Sequence, residues 1–184
     1  MRFQESLVIP IRFIFIIWST FAISLILPFD LAILGIFPRS FHGMIGILLA
    51  PLIHGSLLHL ISNSLPLLFL GVVLFLFYDR IARQVFFQCY FFTNILVWIF
   101  ARSSLHIGAS GLVYGLAAFL TFFGIFRKDF KSIVISIGVI VLYGGLVYGI
   151  FPNQPGVSWE SHLMGALVGL TTASQLAKVK VVTS

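Results

Sequence analysis

Charge is what this chain most lacks. Of its 184 residues only eleven are Lys or Arg and five are Asp or Glu. A soluble domain gives about a quarter of its residues to charge. At 9% charged and 60% hydrophobic, the chain cannot solvate its surface with water, so lipid has to cover most of it. Cysteine is nearly absent as well. Cys89 stands alone, which excludes an intrachain disulfide. The scarcity of ligand-type side chains also argues against a metal centre. His54 and His59 are five residues apart, a poor spacing for chelation on one helix face, and no H-E-x-x-H motif occurs. No cofactor is expected. The net charge of +6 is not arranged as a basic stripe, so nucleic acid is not an expected partner. A cleavage site is missing too: after the run Phe13 to Leu27 come Pro28, Phe29 and Asp30 rather than a small-x-small motif. That predicts an uncleaved first span rather than a signal peptide.

What the chain does have is a series of apolar runs, roughly Phe13–Phe29, Leu57–Phe77, Gln84–Ala101, Ala109–Phe126, Ser132–Phe151 and Ser161–Ala177. Each approaches the ~20 residues a helix needs to cross the hydrocarbon. None shows the alternation of a barrel strand. The expected fold is an all-α membrane protein, a six-helix bundle forming one domain over residues 1–184. No Asp, Glu, Lys or Arg lies between Arg39 and Asp79, so that stretch could hold two spans. The positive-inside rule decides against this. Six spans with both termini in the cytoplasm put Arg2, Arg12, Arg80, Arg83, Arg127, Lys128, Lys131, Lys178 and Lys180 inside, leaving Arg39 and Arg102 outside. Seven would scatter them. Residues Phe41 to Pro51 then form an apolar loop in the outer interface. With no organelle signal evident, a multi-pass protein of a bacterial plasma membrane is the default expectation.

In that topology the second, fourth and sixth spans all start on the outer side. Near those starts sit His59 and Asn63, Ser110, and His162. Polar groups at one depth in lipid are expected to meet in the bundle interior. Ser110 lies in Gly108-Ala109-Ser110-Gly111 at a helix entry, where first-turn N–H groups lack intrahelical partners. A hydroxyl beside free N–H donors suits acyl transfer, the oxygen attacking while an N–H holds the oxyanion. His162 is followed by Gly165 and Gly169 on its own helical face. Gly111 and Gly115 give the fourth span a matching small face, so the two helices can approach until His162 reaches Ser110 as a base. His59 and Asn63, four residues apart, share a face and can donate hydrogen bonds. Tyr114, one turn after Ser110, can pack on the His162 ring. Each feature also has a packing reading: small residues at a helix contact, a histidine bonded to a neighbouring helix, a polar clamp, a core tyrosine. No carboxylate completes a triad. Glu160 is nearest in sequence, but two residues along a helix point about 200° apart, so a Ser–His dyad is expected. Glu160 and Trp159 are expected to anchor the outer interface.

Taken together, Leu58-His59-Leu60-x-x-Asn63, Gly108-Ala109-Ser110-Gly111 with Tyr114, and His162-x-x-Gly165-x-x-x-Gly169 resemble the signature of rhomboid intramembrane proteases, in order, from about Pro51 to Gly169. The resemblance implies a six-helix bundle around a water-filled cavity open to the outer side. It implies Ser110 as nucleophile and His162 as general base. His59, Asn63 and the Ser110 N–H would form the oxyanion site, and Tyr114 would stack on the histidine. His54 matches a histidine with a structural or water-holding role. Substrates would be single-span membrane proteins with small residues near the cut and helix-destabilising sequence nearby. Two departures stand out. Ile45-Gly46 occupies the first-loop position where many rhomboids carry Trp-Arg, and Ser161 replaces the alanine that commonly precedes the histidine. The alternatives are a proteolytically inactive rhomboid-like protein that binds membrane clients and, in a different class, a small transporter or channel. The last would call for an ionisable path across the membrane or an internal repeat, and neither is seen.

Overall fold

The computed structural model describes residues 3–152 and 156–178. Arg2 and Lys180, two of the charges used to orient the spans, lie outside the described residues. The described chain is mostly helical: α1 (Phe3–Ser24), α2 (Gly46–Leu49), α3 (Leu57–Phe77), α4 (Asp79–Phe100), α5 (Ser110–Arg127), α6 (Phe130–Tyr143) and α7 (Trp159–Ala177). Its only β-pairing among the described residues is one antiparallel bridge between Ile36 and His106. By length and composition, α1, α3, α5 and the stretch Phe130–Ile150 can each cross a membrane. α4 and α7, of 22 and 19 residues, are comparably long but carry charged and polar residues in their first turns.

Local chemistry sets the helix ends. The Ser56 hydroxyl accepts the His59 N–H at 3.1 Å and caps α3. Asp129 accepts the Ser132 N–H at 3.0 Å and caps α6. Such caps satisfy donors that the first turn leaves without partners. α5 ends at Lys128, whose φ of 60° is left-handed.

α5 is the centre of the bundle, buried along most of its length, and packs on α7, α6, α4 and α3. Its contact with α7 is the most extensive in the protein. The reason is glycine. A Cβ on Gly165 would run into the carbonyl of Gly111, and one on Gly169 into the carbonyl of Gly115. The two backbones touch directly, the approach that small residues permit between membrane helices. Away from this seam, Phe75, Phe86, Tyr78, Phe119 and Phe123 fill the core, with Tyr78 edge-on to Phe123 at 5.1 Å.

Helix bounds differ from the apolar runs in two instructive places. α1 begins ten residues before Phe13, since Arg12 and the polar residues ahead of it are compatible with helix even where lipid is not required. The run Ser132–Phe151 is not one α-helix. It is α-helical to Tyr143, and Gly144 to Ile150 form a 3-10 segment. Gly144 and Gly145 open that segment, and glycine weakens an α-helix at such a point. Residues 42–52 form short helical turns, His42–Ile45, α2 and Ala50–Leu52, from which Met44, Ile45 and Leu48 project outward, as does Phe41 just before them. Glu160 corrects an expectation. It does not face outward as an interface anchor: it is 3% exposed and pairs with Arg102 Nε at 3.4 Å. A buried carboxylate needs such a partner.

Candidate active site

The N-terminal ends of α3, α5 and α7 come together, and the polar residues at those ends meet. Ser110 is the first residue of α5. Its hydroxyl lies 2.9 Å from His162 Nε2, across the glycine seam. The other ring nitrogen, Nδ1, lies 2.8 Å from the carbonyl oxygen of Gly149. A carbonyl can only accept, so Nδ1 carries the proton and Nε2 presents its lone pair. Ser110 therefore donates to His162. Tyr114 stacks on the imidazole with ring centroids 4.1 Å apart and planes 3° from parallel. Three contacts thus hold the ring: an edge bond at each nitrogen and an aromatic face.

The turn into α5 is shaped for this placement. Gly108 has φ +101°, and a Cβ there would collide with the His59 imidazole. Only glycine meets both demands. The Ala109 N–H is donated to His54 Nε2 at 3.4 Å. The Gly108 N–H is donated to Ala50 O at 2.8 Å, and within α5 the first N–H with a backbone acceptor is that of Val113, bonded to Ala109 O at 3.1 Å. The N–H groups of Ser110, Gly111 and Leu112 are left at the helix start, where an anion is favoured. His59 lies over Gly108, and His54 packs edge-on to it at 5.0 Å. Asn63 is buried, and its amide donates back to His59 O at 2.7 Å. One of its N–H bonds is therefore spent on its own helix.

A second polar group lies beside the first. His106 Nε2 donates to Arg102 O at 3.1 Å, so its Nδ1 accepts from Ser158, 2.6 Å away. Ser158 in turn receives the Ser161 hydroxyl at 2.7 Å. Burial holds the His106 pKa below its ordinary value. Arg102 also donates to Val157 O at 2.9 Å. The loop before α5 is thereby tied to the start of α7. Sequence reasoning did not single out His106 or Ser158, because a lone histidine and a lone serine in separate loops carry no spacing signal.

Residues 42–178 match the Rhomboid domain as a family. The chain belongs to the rhomboid family. Among relatives, uncharacterized proteins of Mycobacterium tuberculosis and Mycobacterium bovis are each 35% identical over 160 residues, 78% of this chain and 63% of theirs. The RHOMBOID-like protein 4 of Arabidopsis thaliana is 31% identical over 126 residues, 64% of this chain and 30% of that protein. The chain thus spans less than two thirds of the length of these relatives.

Both departures from the common rhomboid pattern have a local structural account. Gly46, in place of the arginine of the Trp-Arg pair, lies flush on the backbone of Gly35 and Ile36, where any side chain would be excluded. The loop is instead held by Arg39. Its Nη1 donates to Ile99 O at 3.1 Å and Ala101 O at 2.7 Å, and its backbone N–H to Trp98 O at 2.9 Å. It caps the end of α4, which cations favour. The Trp98 indole closes the clasp on Ser40 O at 3.0 Å. Arg39→Ala is expected to lower stability by about 1–2 kcal/mol and to speed proteolytic nicking between residues 40 and 52. Arg39→Lys should recover little, since an ammonium lacks the fork. Nicking at the wild-type rate in both variants would dismiss the clasp. Ser161 uses its extra hydroxyl on Ser158, as described above.

His54 gives a pH prediction. Burial, with His59 close by, lowers its pKa from 6.5 to about 4. Between those values the unfolded chain binds a proton that the folded chain refuses, so stability rises with pH across the window. The contribution is complete above about 6.5 and is lost as pH falls toward 4. The thermal midpoint should therefore drop over that interval, and His54→Gln, which keeps an acceptor for Ala109, should flatten the drop. Parallel curves for the two proteins would rule His54 out as a source.

Proposed function

We propose that this rhomboid is an intramembrane serine endopeptidase that cuts single-span membrane proteins with a Ser110–His162 dyad. The observation that carries the reading is the 2.9 Å contact of the Ser110 hydroxyl with a His162 Nε2 whose lone pair is free to accept. His162 takes the hydroxyl proton as Ser110 Oγ bonds to the scissile carbonyl carbon. Charge moves to the carbonyl oxygen, and the Ser110 N–H with the His59 and Asn63 side chains stabilises it. His162 then returns the proton to the departing amine, leaving an ester on Ser110. Water, deprotonated by the same nitrogen, hydrolyses that ester and frees Ser110. No carboxylate is required. Water must reach the dyad from one membrane face, and the shared level of His59, Ser110 and His162 supports entry from the outer side. Both termini in the cytoplasm fit the distribution of basic residues, and the plasma membrane of a bacterium is the default location.

The test is cleavage in lipid vesicles of a single-span substrate with small and helix-breaking residues near its outer end. It is run beside covalent labelling of Ser110 by a fluorophosphonate. Wild-type protein should cut and take the label at Ser110. A folded wild-type protein that does neither is a client-binding rhomboid-like protein rather than a protease.

A further inference from the structure

A dyad without a carboxylate leaves open what keeps the histidine in its useful tautomer. Among the described residues, the one group bonded to His162 Nδ1 is the carbonyl of Gly149, at 2.8 Å. Gly149 belongs to the 3-10 segment Gly144–Ile150, which continues α6 and in which no residue is buried. Val147 and Tyr148 project outward, and α6 itself buries only Ser132, Ser136 and Val139. The inner half of α6 is firmly seated: Gly124 of α5 packs on the Ser132 backbone, and Ser136 donates to Thr121 O at 2.7 Å. The outer end packs on the core through Tyr143 and Leu146, both only partly buried. A 3-10 run of seven residues has poorer hydrogen bonds than an α-helix and is long for its kind. Its close packing is at Gly149 itself, where a Cβ would collide with the Tyr114 hydroxyl and come within 3.2 Å of His162 Nδ1.

We infer that the Gly149 carbonyl is the positioning group that makes His162 a base, so that seating of Gly144–Ile150 decides whether Ser110 is activated. This rests on the dyad reading above. The carbonyl does the orienting work of a triad carboxylate, but as a neutral acceptor on a segment with no fully buried residue. It selects the Nδ1–H tautomer, leaves Nε2 toward Ser110, and stabilises the imidazolium formed during attack. If the segment lifts away, either nitrogen can hold the proton, and only the Tyr114 stack and the Ser110 contact still hold the ring. A substrate therefore either enters without displacing Gly149 or the segment closes again before the bond is cut.

The test alters the carbonyl and no side chain. Replacing Ile150 by its α-hydroxy acid analogue, introduced by nonsense suppression, makes the 149–150 link an ester and the Gly149 carbonyl a weaker acceptor. The expected result is a fall in kcat of about three- to tenfold with KM unchanged. Nitrogen-15 NMR of His162, assigned by its loss in His162→Ala, should show the Nδ1–H tautomer in the wild type and a mixture in the ester. Wild-type cleavage with kcat unchanged in the ester, or an Nε2–H tautomer in the wild type, overturns the inference and leaves the protease reading standing. An Nδ1–H tautomer without wild-type cleavage sinks the protease reading and shows the positioning bond to be structural. Gly149→Ala supplies a second variant. It should lose about tenfold or more in kcat, and lose less when measured against Tyr114→Phe alone, because that background removes the hydroxyl the new methyl strikes. Equal losses in the two backgrounds also count against the inference.

Discussion

Alanine at Ser110 is expected to reduce cleavage by about 10⁴-fold or more, and alanine at His162 by a comparable factor, with the double variant hardly worse than either alone. The non-additivity is the informative part. Ser110 without His162 keeps its proton, because its bonded acceptor is the 2.9 Å Nε2 contact. His162 without Ser110 has nothing to deprotonate but water. Each residue is useful only through the other, so the second substitution removes nothing more. A packing role predicts otherwise: two modest effects that add, and read out as stability. Losing one partly buried hydrogen bond costs about 1 kcal/mol, which is too little to unfold a bundle whose glycine seam is intact. Activity and thermal midpoint should therefore separate, activity collapsing while the midpoint moves by a few degrees. Ser110→Ala cutting within tenfold of the wild type would end the dyad assignment.

The fold was readable to the extent that lipid dictates it. Few charges, placed at segment ends, mark where helices leave the membrane, and glycines spaced along two of them mark which helices touch. The common level of His59, Ser110 and His162 follows from that pattern, because helices starting on one side bring their first turns to one depth. What was not readable depends on groups without a sequence signal. The partner of His162 Nδ1 is a backbone carbonyl, and every residue has one. Gly149 is recognisable as a glycine in an apolar run, but not as the residue that lies against Tyr114 and His162. The burial of Glu160 is not legible because a carboxylate beside Trp159 at a membrane boundary usually faces water. Here Arg102, fifty-eight residues earlier, arrives to pair with it. In the sequence Arg39 is only an outside charge, while in the fold its fork holds the end of α4. Such pairings depend on which loops cross, and apolar periodicity is silent about loops.

Valine at Gly165 should remove both stability and activity, and in a characteristic proportion. The Cα hydrogen of Gly165 faces the carbonyl of Gly111, and a Cβ there would also sit 3.2 Å from Gly115 N. Those are backbone atoms inside a helix and cannot step aside as a side chain would, so α5 and α7 must move apart. Overpacking of this kind costs about 1–3 kcal/mol. The catalytic penalty is larger in relative terms. His162 lies one turn before Gly165 on α7 and Ser110 one residue before Gly111 on α5, so separation at the seam opens the 2.9 Å contact directly. A displacement near 1 Å in a reacting pair can cost about 100-fold. Gly165→Ala should fall between glycine and valine in both measures. If valine lowers the midpoint but leaves kcat within a few fold, α7 is pivoting about its tied N-terminus rather than translating. Arg102, His106 and Ser158 would then be what keeps His162 on Ser110, and Ser158→Ala added to Gly165→Val should produce the missing loss.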